Sequence, residues 1–164
     1  MNHPRLSAPR PSSQRRVVAL ASIAAIASLV AGPARSDDTG KDGFNRRCAI
    51  CHQAKGEGVP GSFPPLHQQV ATFAGTKAGR EYLIAVITYG RNGGLVMNGA
   101  TYKGFMPPQG LGDAEAAAVL NYVVGTIAGG NESVANFTSA EVAEVRGRVP
   151  FGAEAAAAMR PALD

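Results

Sequence analysis

Three stretches of the chain place apolar residues at the spacing of a helix face. The first spans residues 79–90, the second runs from Asp113 towards a glycine at 125 or 129, and the third spans residues 140–148 after Thr138. The apolar positions are Tyr82, Leu83, Val86 and Ile87 in the first stretch and Ala117, Val119, Leu120 and Val123 in the second. Asp113 and Thr138 are residue types that cap helix N-termini, so the pattern predicts three helices.

Glycine and proline interrupt the segments between these helices. Residues 53–65 and 95–112 are rich in both, which indicates loops that wrap around something rather than regular elements. Residues 37–43 are polar, and a short helix is expected to begin at Phe44 and to run into Cys48. Strand-like alternation is nearly absent, so the predicted fold class is all-α, with short helices and long loops.

The first 36 residues have the pattern of a secretory signal peptide. Its basic start consists of Arg5, Arg10, Arg15 and Arg16. Residues 17–31 then form a run of 15 residues without a charge, and Ala34 and Ser36 are the small residues that a signal peptidase recognises. The run is shorter than the roughly 20 residues of a membrane-spanning helix. We therefore expect cleavage after Ser36, export to the periplasm and no stable membrane span in the mature protein.

Removal of this segment changes the charge of the protein. Five of the 16 basic residues and none of the 12 acidic ones lie in residues 1–36, which leaves 11 basic and 12 acidic residues and a net charge of −1. The basic balance of the full chain therefore belongs mostly to the signal. Nucleic acid is not an expected partner of the mature protein.

Residues 37–130 form the expected functional domain, and residues 131–164 form a C-terminal extension. The extension is predicted to be a partly mobile appendix that carries no chemistry. Its apolar residues Val134, Phe137, Val142 and Val145 could share part of a helix face, which needs burial against the core or a partner. Packing on the core is the favoured interpretation.

Cys48 and Cys51 enclose two residues, and His52 follows directly. This spacing is typical of covalent haem attachment: two thiols on one helical turn reach the two vinyl groups of a porphyrin, and the histidine ligates its iron. A thioredoxin-like redox pair is the alternative, but no strand pattern precedes the motif. The sequence therefore predicts one haem c, with Cys48 and Cys51 as tethers and His52 as an axial ligand.

The second axial ligand is expected to be Met106. It lies within residues 102–108, where a glycine lets the backbone approach the haem and two prolines stiffen the following chain. Met97 is more plausible as a core or haem-edge contact, and Met159 lies in the extension. His67 would give bis-histidine ligation, but it follows a proline pair on the side expected to belong to the first ligand, so a surface position is favoured.

The first axial ligand also needs an orienting partner. A ligating histidine usually donates its other ring N–H to a carbonyl or carboxylate. Pro64 is the candidate acceptor for His52.

Together these residues resemble the class I cytochrome c family over residues 37–130. The matching positions are Gly40 and Phe44 before the cysteines, Val119 and Tyr122 in the last core helix, Gly56, Gly58 and Pro64-Pro65-Leu66 on the histidine side, and Met106 with Pro107. The resemblance implies a cytochrome c fold around one covalently bound haem c and reversible electron transfer. It also implies that the first helix crosses the last one at Val119 and Tyr122.

Residues 98–108 and 119–123 also resemble bacterial periplasmic cytochromes c and the cytochrome subunits of dehydrogenases, nitrite reductases and terminal oxidases. The chain lacks the lysine-rich face of mitochondrial members. The expected function is a periplasmic electron carrier with His52 and Met106 ligation, no catalytic residue, and a redox protein donor and acceptor. The alternatives are a haem c subunit of a larger dehydrogenase or reductase, and a small haem enzyme or gas sensor with a labile sixth ligand.

Overall fold

The structure describes most of the chain beyond residue 35. In this computed structural model, residue 1 and residues 36–67, 69–130, 133–149 and 151–162 are described. The chain divides into two units, Met1–Ala31 and Gly32–Asp164. The predicted signal peptide lies, apart from its first and last residues, outside the described residues, and its removal stays a prediction. Among the residues that are described, no helix is long and apolar enough to span a membrane.

Helices dominate the second unit. They are α1 (Ser36–Arg47), α2 (Ala49–His52), α3 (Val70–Ala74), α4 (Lys77–Tyr89), α5 (Asp113–Tyr122), α6 (Ser139–Arg148) and α7 (Ala153–Ala158). A π-helical turn, Val123–Ile127, extends α5, and two short strands, β1 (Leu95–Met97) and β2 (Ala100–Tyr102), form a hairpin. This architecture confirms the predicted all-α class.

Helix α1 crosses α5 at very short range, which the resemblance had led us to expect. A Cβ atom at Gly40 would lie 2.3 Å from the carbonyl oxygen of Ala118, and one at Gly43 would lie 2.6 Å from a methyl group of Val119. The rings of Phe44 and Tyr122 then pack with centroids 5.6 Å apart. The expected start of this helix at Phe44 is wrong, because α1 begins at Ser36. Glycines form its contact face, so apolar periodicity does not reveal it.

The helices predicted from apolar spacing are present with shifted ends. Helix α4 begins after Thr76, whose hydroxyl oxygen accepts a hydrogen bond from the backbone N–H of Gly79 at 3.1 Å. The predicted cap of α5 by Asp113 is wrong, because the N-cap position is Gly112, which has no side chain, and Asp113 is the first residue of the helix. The Asp113 carboxylate instead lies 3.0 Å from the guanidinium of Arg146. Thr138 caps α6 as predicted and accepts from the N–H of Glu141 at 3.1 Å.

The hairpin lies in a segment that was expected to be a loop. Leu95 pairs with Tyr102 and Met97 with Ala100 in antiparallel register. The tight turn between the strands is Asn98-Gly99, with φ of 51° and 77°. This dipeptide favours a two-residue hairpin turn, but the strands are only three residues long, too short for their alternation to be recognised.

The C-terminal extension belongs to the main core. Phe137, Val142, Val145 and Ala156 are buried in the same apolar cluster as Phe44 and α3 to α5, with Val134 packed against it. The favoured core-packing interpretation of the extension is thus confirmed. Helix α6 packs on α4 and α5, and α7 packs on α4.

Arg80 of α4 fixes the start of the extension in place. Its guanidinium donates two hydrogen bonds to the carboxylate of Glu141, at 2.7 and 2.6 Å, and one to the carbonyl of Ala135 at 2.7 Å. The same group lies 3.8 Å from the centroid of the Phe137 ring. The side-chain amide of Asn121 in α5 accepts a hydrogen bond from the backbone N–H of Phe137 at 2.7 Å and donates one to the Phe137 carbonyl at 3.0 Å. The extension is therefore joined to the core by polar contacts as well as by burial.

Candidate functional site

All five residues that the sequence predicts for the site line one cavity. Its volume is about 380 Å³, and its wall is formed mostly by apolar side chains of α3, α4, α5 and the hairpin. The predicted residues on it are Cys48, Cys51, His52, Pro64 and Met106. The loops that wrap around it are the two glycine- and proline-rich segments. The structure thus brings together residues that are up to 58 positions apart in the sequence.

The two cysteines lie on one helical turn at the junction of α1 and α2. The backbone N–H groups of Cys51 and His52 both donate to the carbonyl of Cys48, at 3.1 and 2.8 Å. Burial, together with the neighbouring Cys51, raises the pKa of the Cys48 thiol to about 11. A thioredoxin-like redox pair follows a strand in a βαβ pattern, whereas the two described strands, β1 and β2, both come after this motif in the chain. The element order therefore argues against the thioredoxin-like alternative.

His52 is buried and oriented by one hydrogen bond. Its Nδ1 lies 2.8 Å from the carbonyl oxygen of Pro64. Since a carbonyl only accepts, Nδ1 carries the proton and donates, and Nε2 keeps its lone pair for a ligand. Burial lowers the pKa of His52, against the smaller opposing effect of this hydrogen bond. The predicted partner of His52 is present, and the imidazole is held neutral.

The backbone of Met106 is paired with the end of α4. Its N–H donates to the carbonyl of Arg91 at 2.9 Å, and its carbonyl accepts from the N–H of Arg91 at 2.8 Å. Gly90 directly precedes Arg91 and has a φ of 77°. A Cβ atom at Gly90 would lie 2.2 Å from the Met106 carbonyl oxygen, so the two backbones are in close contact. The methionine is therefore held by main-chain contacts as well as by Pro107 and Pro108.

The other candidate ligands occupy different surroundings. Met97 is buried with Leu95 and Tyr102 and lines the same cavity, as expected for a cavity-edge contact. His67 is exposed, and its Nδ1 lies 3.3 Å from the carbonyl oxygen of Gly56. Met159 packs against the main core and is not among the described residues that line the cavity.

Arg160 is a cavity residue that the sequence did not reveal. The C-terminal extension was expected to be an appendix that carries no chemistry, yet its Arg160 lies on the cavity wall beside Gln69. The two residues are 91 positions apart, and a single arginine after an alanine-rich helix carries no local signal of such a contact.

Known proteins with similar sequences belong to a family that binds haem c, in agreement with this site. The model of the family described as cytochrome c matches residues 38–126. The chain belongs to the cytochrome c family. Cytochrome c-552 of Thermus thermophilus is 42% identical over 106 residues, which cover 62% of this chain and 80% of the relative. Cytochrome c-552 from a named strain of the same species has the same identity and covers 62% of this chain and 71% of the relative.

Membership in this family confirms the predicted cofactor. The cytochrome c carries one covalently bound haem c, and Cys48 and Cys51 fit its attachment motif. The residues present suit the group, because an apolar cavity wall, a neutral imidazole with a free Nε2 lone pair and two neighbouring thiols meet in one place. The chain is thus a haem c electron-transfer protein.

Proposed function

We propose that this cytochrome c is an exported carrier that passes single electrons between redox proteins, with His52 and Met106 as its axial ligands. The observation that carries the proposal is the common cavity of these two residues with Cys48 and Cys51. When bound, haem c supplies a one-electron couple between ferric and ferrous iron.

His52 and Met106 would serve complementary roles. The Pro64 carbonyl holds the His52 imidazole in one orientation and increases its basicity as a ligand through the shared proton. A methionine thioether favours ferrous iron and so raises the reduction potential. The backbone pair between Met106 and Arg91 restrains the loop that carries the methionine, so it would help this residue to stay bound to the haem iron.

A carrier has protein ligands at both axial positions of the haem iron, which distinguishes it from a haem enzyme or a gas sensor. Both alternatives need a vacant or displaceable sixth position, and a peroxidase-like enzyme also needs a distal acid and base. Among the described residues that line the cavity there is no aspartate or glutamate, and His52 is the histidine found there. These observations favour the carrier.

The cavity opening offers an apolar surface for redox partners. Ile50 and Phe105 line the cavity, and these residues are 75% and 58% exposed. Single exposed apolar residues are common, but two at the opening of a haem cavity can approach a partner closely enough for electron transfer. We infer that a dehydrogenase, reductase or terminal oxidase docks there, either transiently or as a permanent complex in which this chain is the haem c subunit.

Export is the second part of the proposal. It is supported by the basic and apolar pattern of residues 1–36. N-terminal sequencing of the holoprotein from the periplasmic fraction is expected to begin at Asp37. A holoprotein that retains residues 1–36 and stays with the membrane fraction would contradict this part.

Spectroscopy tests the ligation. The ferric protein is expected to show the near-infrared charge-transfer band of methionine–iron ligation, and the ferrous protein is expected to bind no carbon monoxide. A redox titration should follow a single one-electron step. Rapid carbon monoxide binding by the unmodified ferrous protein would contradict the carrier and favour the sensor or enzyme.

A further inference from the structure

The C-terminal extension reaches the haem cavity through one charged side chain. Arg160 follows α7, and its backbone N–H donates to the carbonyl of Ala157 at 3.3 Å. Its guanidinium donates to the side-chain oxygen of Gln69 at 2.6 Å and lies 5.5 Å from the centroid of the Phe73 ring. Arg160, Gln69 and Phe73 all line the cavity. The end of the chain therefore places a cation on the wall of an apolar cavity.

Three arginines line the cavity in the described part of the chain. Arg47 directly precedes Cys48 and so lies at the edge where the porphyrin is tethered. Arg91 donates to the carbonyls of Gly93 and Gly94, at 2.9 and 3.1 Å. Among described residues, the hydrogen-bond partner of the Arg160 guanidinium is Gln69, and that bond uses one of five N–H groups. Arg160 thus has donors available for a ligand.

The ligand chemistry follows from the cofactor. A haem tethered through its vinyl groups carries two propionate carboxylates on the opposite edge of the porphyrin, away from the cysteines. A carboxylate in an apolar cavity is costly unless a cation and hydrogen-bond donors compensate it. The planar guanidinium matches a carboxylate with two parallel hydrogen bonds, whereas a lysine ammonium acts as a point charge.

We propose that Arg160, held in place by Gln69, binds a haem propionate, so that the C-terminal extension forms part of the haem-binding site. The inference depends on the covalent haem c and not on the identity of the sixth ligand or on the carrier function. It gives the extension a chemical role in addition to its packing on α4 and α5.

The reduction potential reports this contact. Replacement of Arg160 by glutamine leaves the negative charge of the propionate uncompensated, which stabilises ferric iron relative to ferrous iron. At a fixed ambient potential, the ratio of reduced to oxidised protein should fall by roughly threefold to tenfold, the order expected for one unit charge acting through a protein interior.

The experiment compares three variants of the full-length holoprotein. Arg160→Gln and Arg160→Lys are measured beside Arg148→Gln, which removes the same charge from α6, where Arg148 pairs with Glu81 outside the cavity lining. The readouts are the reduction potential and the resonance Raman bending mode of the propionate, which responds to hydrogen bonding at that carboxylate. We expect Arg160→Gln to lower the potential and shift the mode, Arg160→Lys to restore most of the potential but not the mode, and Arg148→Gln to change neither.

Two results would overturn the proposal. One is an Arg160→Gln protein with the potential and propionate mode of the unmodified protein. The other is an equal drop in potential for Arg148→Gln, which would assign the effect to the net charge of the extension. If Arg160→Gln does not accumulate as a folded holoprotein, Arg160→Lys decides alone, because an unshifted propionate mode in that variant refutes the contact. If the unmodified protein lacks the methionine–iron band, the proposed ligation by Met106 is wrong, but the proposed contact between Arg160 and the propionate is unaffected.

Discussion

Met106 and Met97 both line the haem cavity, and the proposed assignment of Met106 as the ligand rests on the difference in their surroundings. Met97 is packed between strand neighbours in the small cluster of the hairpin, whereas Met106 lies on a stiff loop paired with Arg91. A flexible methionine often fills irregular gaps in an apolar cluster, which is the role we propose for Met97. This contrast can be tested one residue at a time.

Met106→Ala should vacate the sixth axial position. We expect the reduction potential to fall by on the order of 0.1 V or more, within the range of about 0.8 V that axial ligation spans, and the ferrous protein to bind carbon monoxide. Met97→Ala is the matched control and should change neither property. Loss of the ferric methionine–iron band in Met97→Ala, with the band retained in Met106→Ala, would reverse the assignment.

Gly90→Ala tests how the methionine loop is held. The added methyl group would meet the Met106 carbonyl oxygen at 2.2 Å, and the backbone at this position has φ of 77°, which disfavours a side chain. We expect the free energy of unfolding to fall by about 1 to 3 kcal/mol and the methionine–iron band to disappear at a lower temperature than in the unmodified protein. The free energy of unfolding and the temperature at which the band disappears are both measured by thermal denaturation of the ferric holoprotein.

Gly94→Ala is the control for that change. No atom lies within 4 Å of the Cβ position at Gly94, so its effect should stay below about 0.5 kcal/mol. Equal melting temperatures for Gly90→Ala and Gly94→Ala would show that the close approach at Gly90 does not constrain the loop.

At the scale of elements, α4 anchors the C-terminal extension through Arg80. Its guanidinium is largely buried and meets a carboxylate, backbone carbonyls and an aromatic ring. Arg80→Ala should lower the free energy of unfolding by about 2 to 4 kcal/mol, because it leaves the Glu141 carboxylate and the Ala135 carbonyl without this donor in a partly buried place.

The stability of the Arg80→Ala variant is measured by chemical denaturation of the holoprotein. Arg46→Ala is the comparison, since Arg46 forms an exposed pair with Glu115 at 3.0 Å and should cost less than about 1 kcal/mol. A variant at Arg80 that is no less stable than the one at Arg46 would contradict the anchoring role.

The pairing between α4 and α6 also makes stability depend on pH. Hydrogen bonds from Arg148 and then from Lys77 lower the pKa of Glu81 below its usual value of 4.5. A lowered carboxylate pKa stabilises the fold above pH 4.5, and that stabilisation is lost as the pH falls through the folded-state pKa. Glu81→Gln should therefore be less stable than the unmodified protein at pH 7, with a difference that shrinks below pH 4.5.

Denaturation curves at pH 7 and at several values below pH 4.5 measure this effect. Glu144→Gln is the control, because that side chain is 73% exposed and lies 3.9 Å from Arg148. A Glu81→Gln penalty that stays constant over the whole series would show that the carboxylate charge is not what stabilises the pair.

The elements divide into those that local sequence reveals and those that it does not. Helices α4, α5 and α6 have apolar faces or caps that the sequence displays, and the attachment motif is contained in five consecutive residues. The sequence did not predict the start of α1, because glycines form the contact face of this helix. It did not predict the hairpin, because each strand has only three residues. The contact between Arg160 and Gln69 depends on the completed fold. Local pattern thus predicts elements, whereas contacts between distant segments need the structure.

At the scale of the whole molecule, the haem completes the core. Without the haem, the apolar side chains of α3, α4, α5 and the hairpin that line the cavity would face water. A chain of this size has little other core to offset that exposure, and an ordinary domain is stable by only about 5 to 15 kcal/mol. We therefore expect the chain without haem to be unfolded or nearly so.

The double substitution Cys48→Ala with Cys51→Ala removes both attachment points. We expect no cooperatively folded protein by circular dichroism and urea titration, because the loops around Pro64 and Met106 lose the group on which they pack. Cys51→Ala alone keeps one tether and should retain haem with reduced stability. A haem-free double variant that unfolds cooperatively would mean that the polypeptide core is sufficient.

The position of core residues along the chain has a consequence for the order of events during biogenesis. Synthesis and the proposed export deliver the N-terminal end first, so we expect Cys48 and Cys51 to emerge well before Val142 and Val145. The outer faces of α4 and α5 stay uncovered until α6 arrives, because that helix supplies their packing partners. We expect the tethering reaction to meet a nascent chain whose core is still open, and the core to close only after α6 has left the proposed translocation channel.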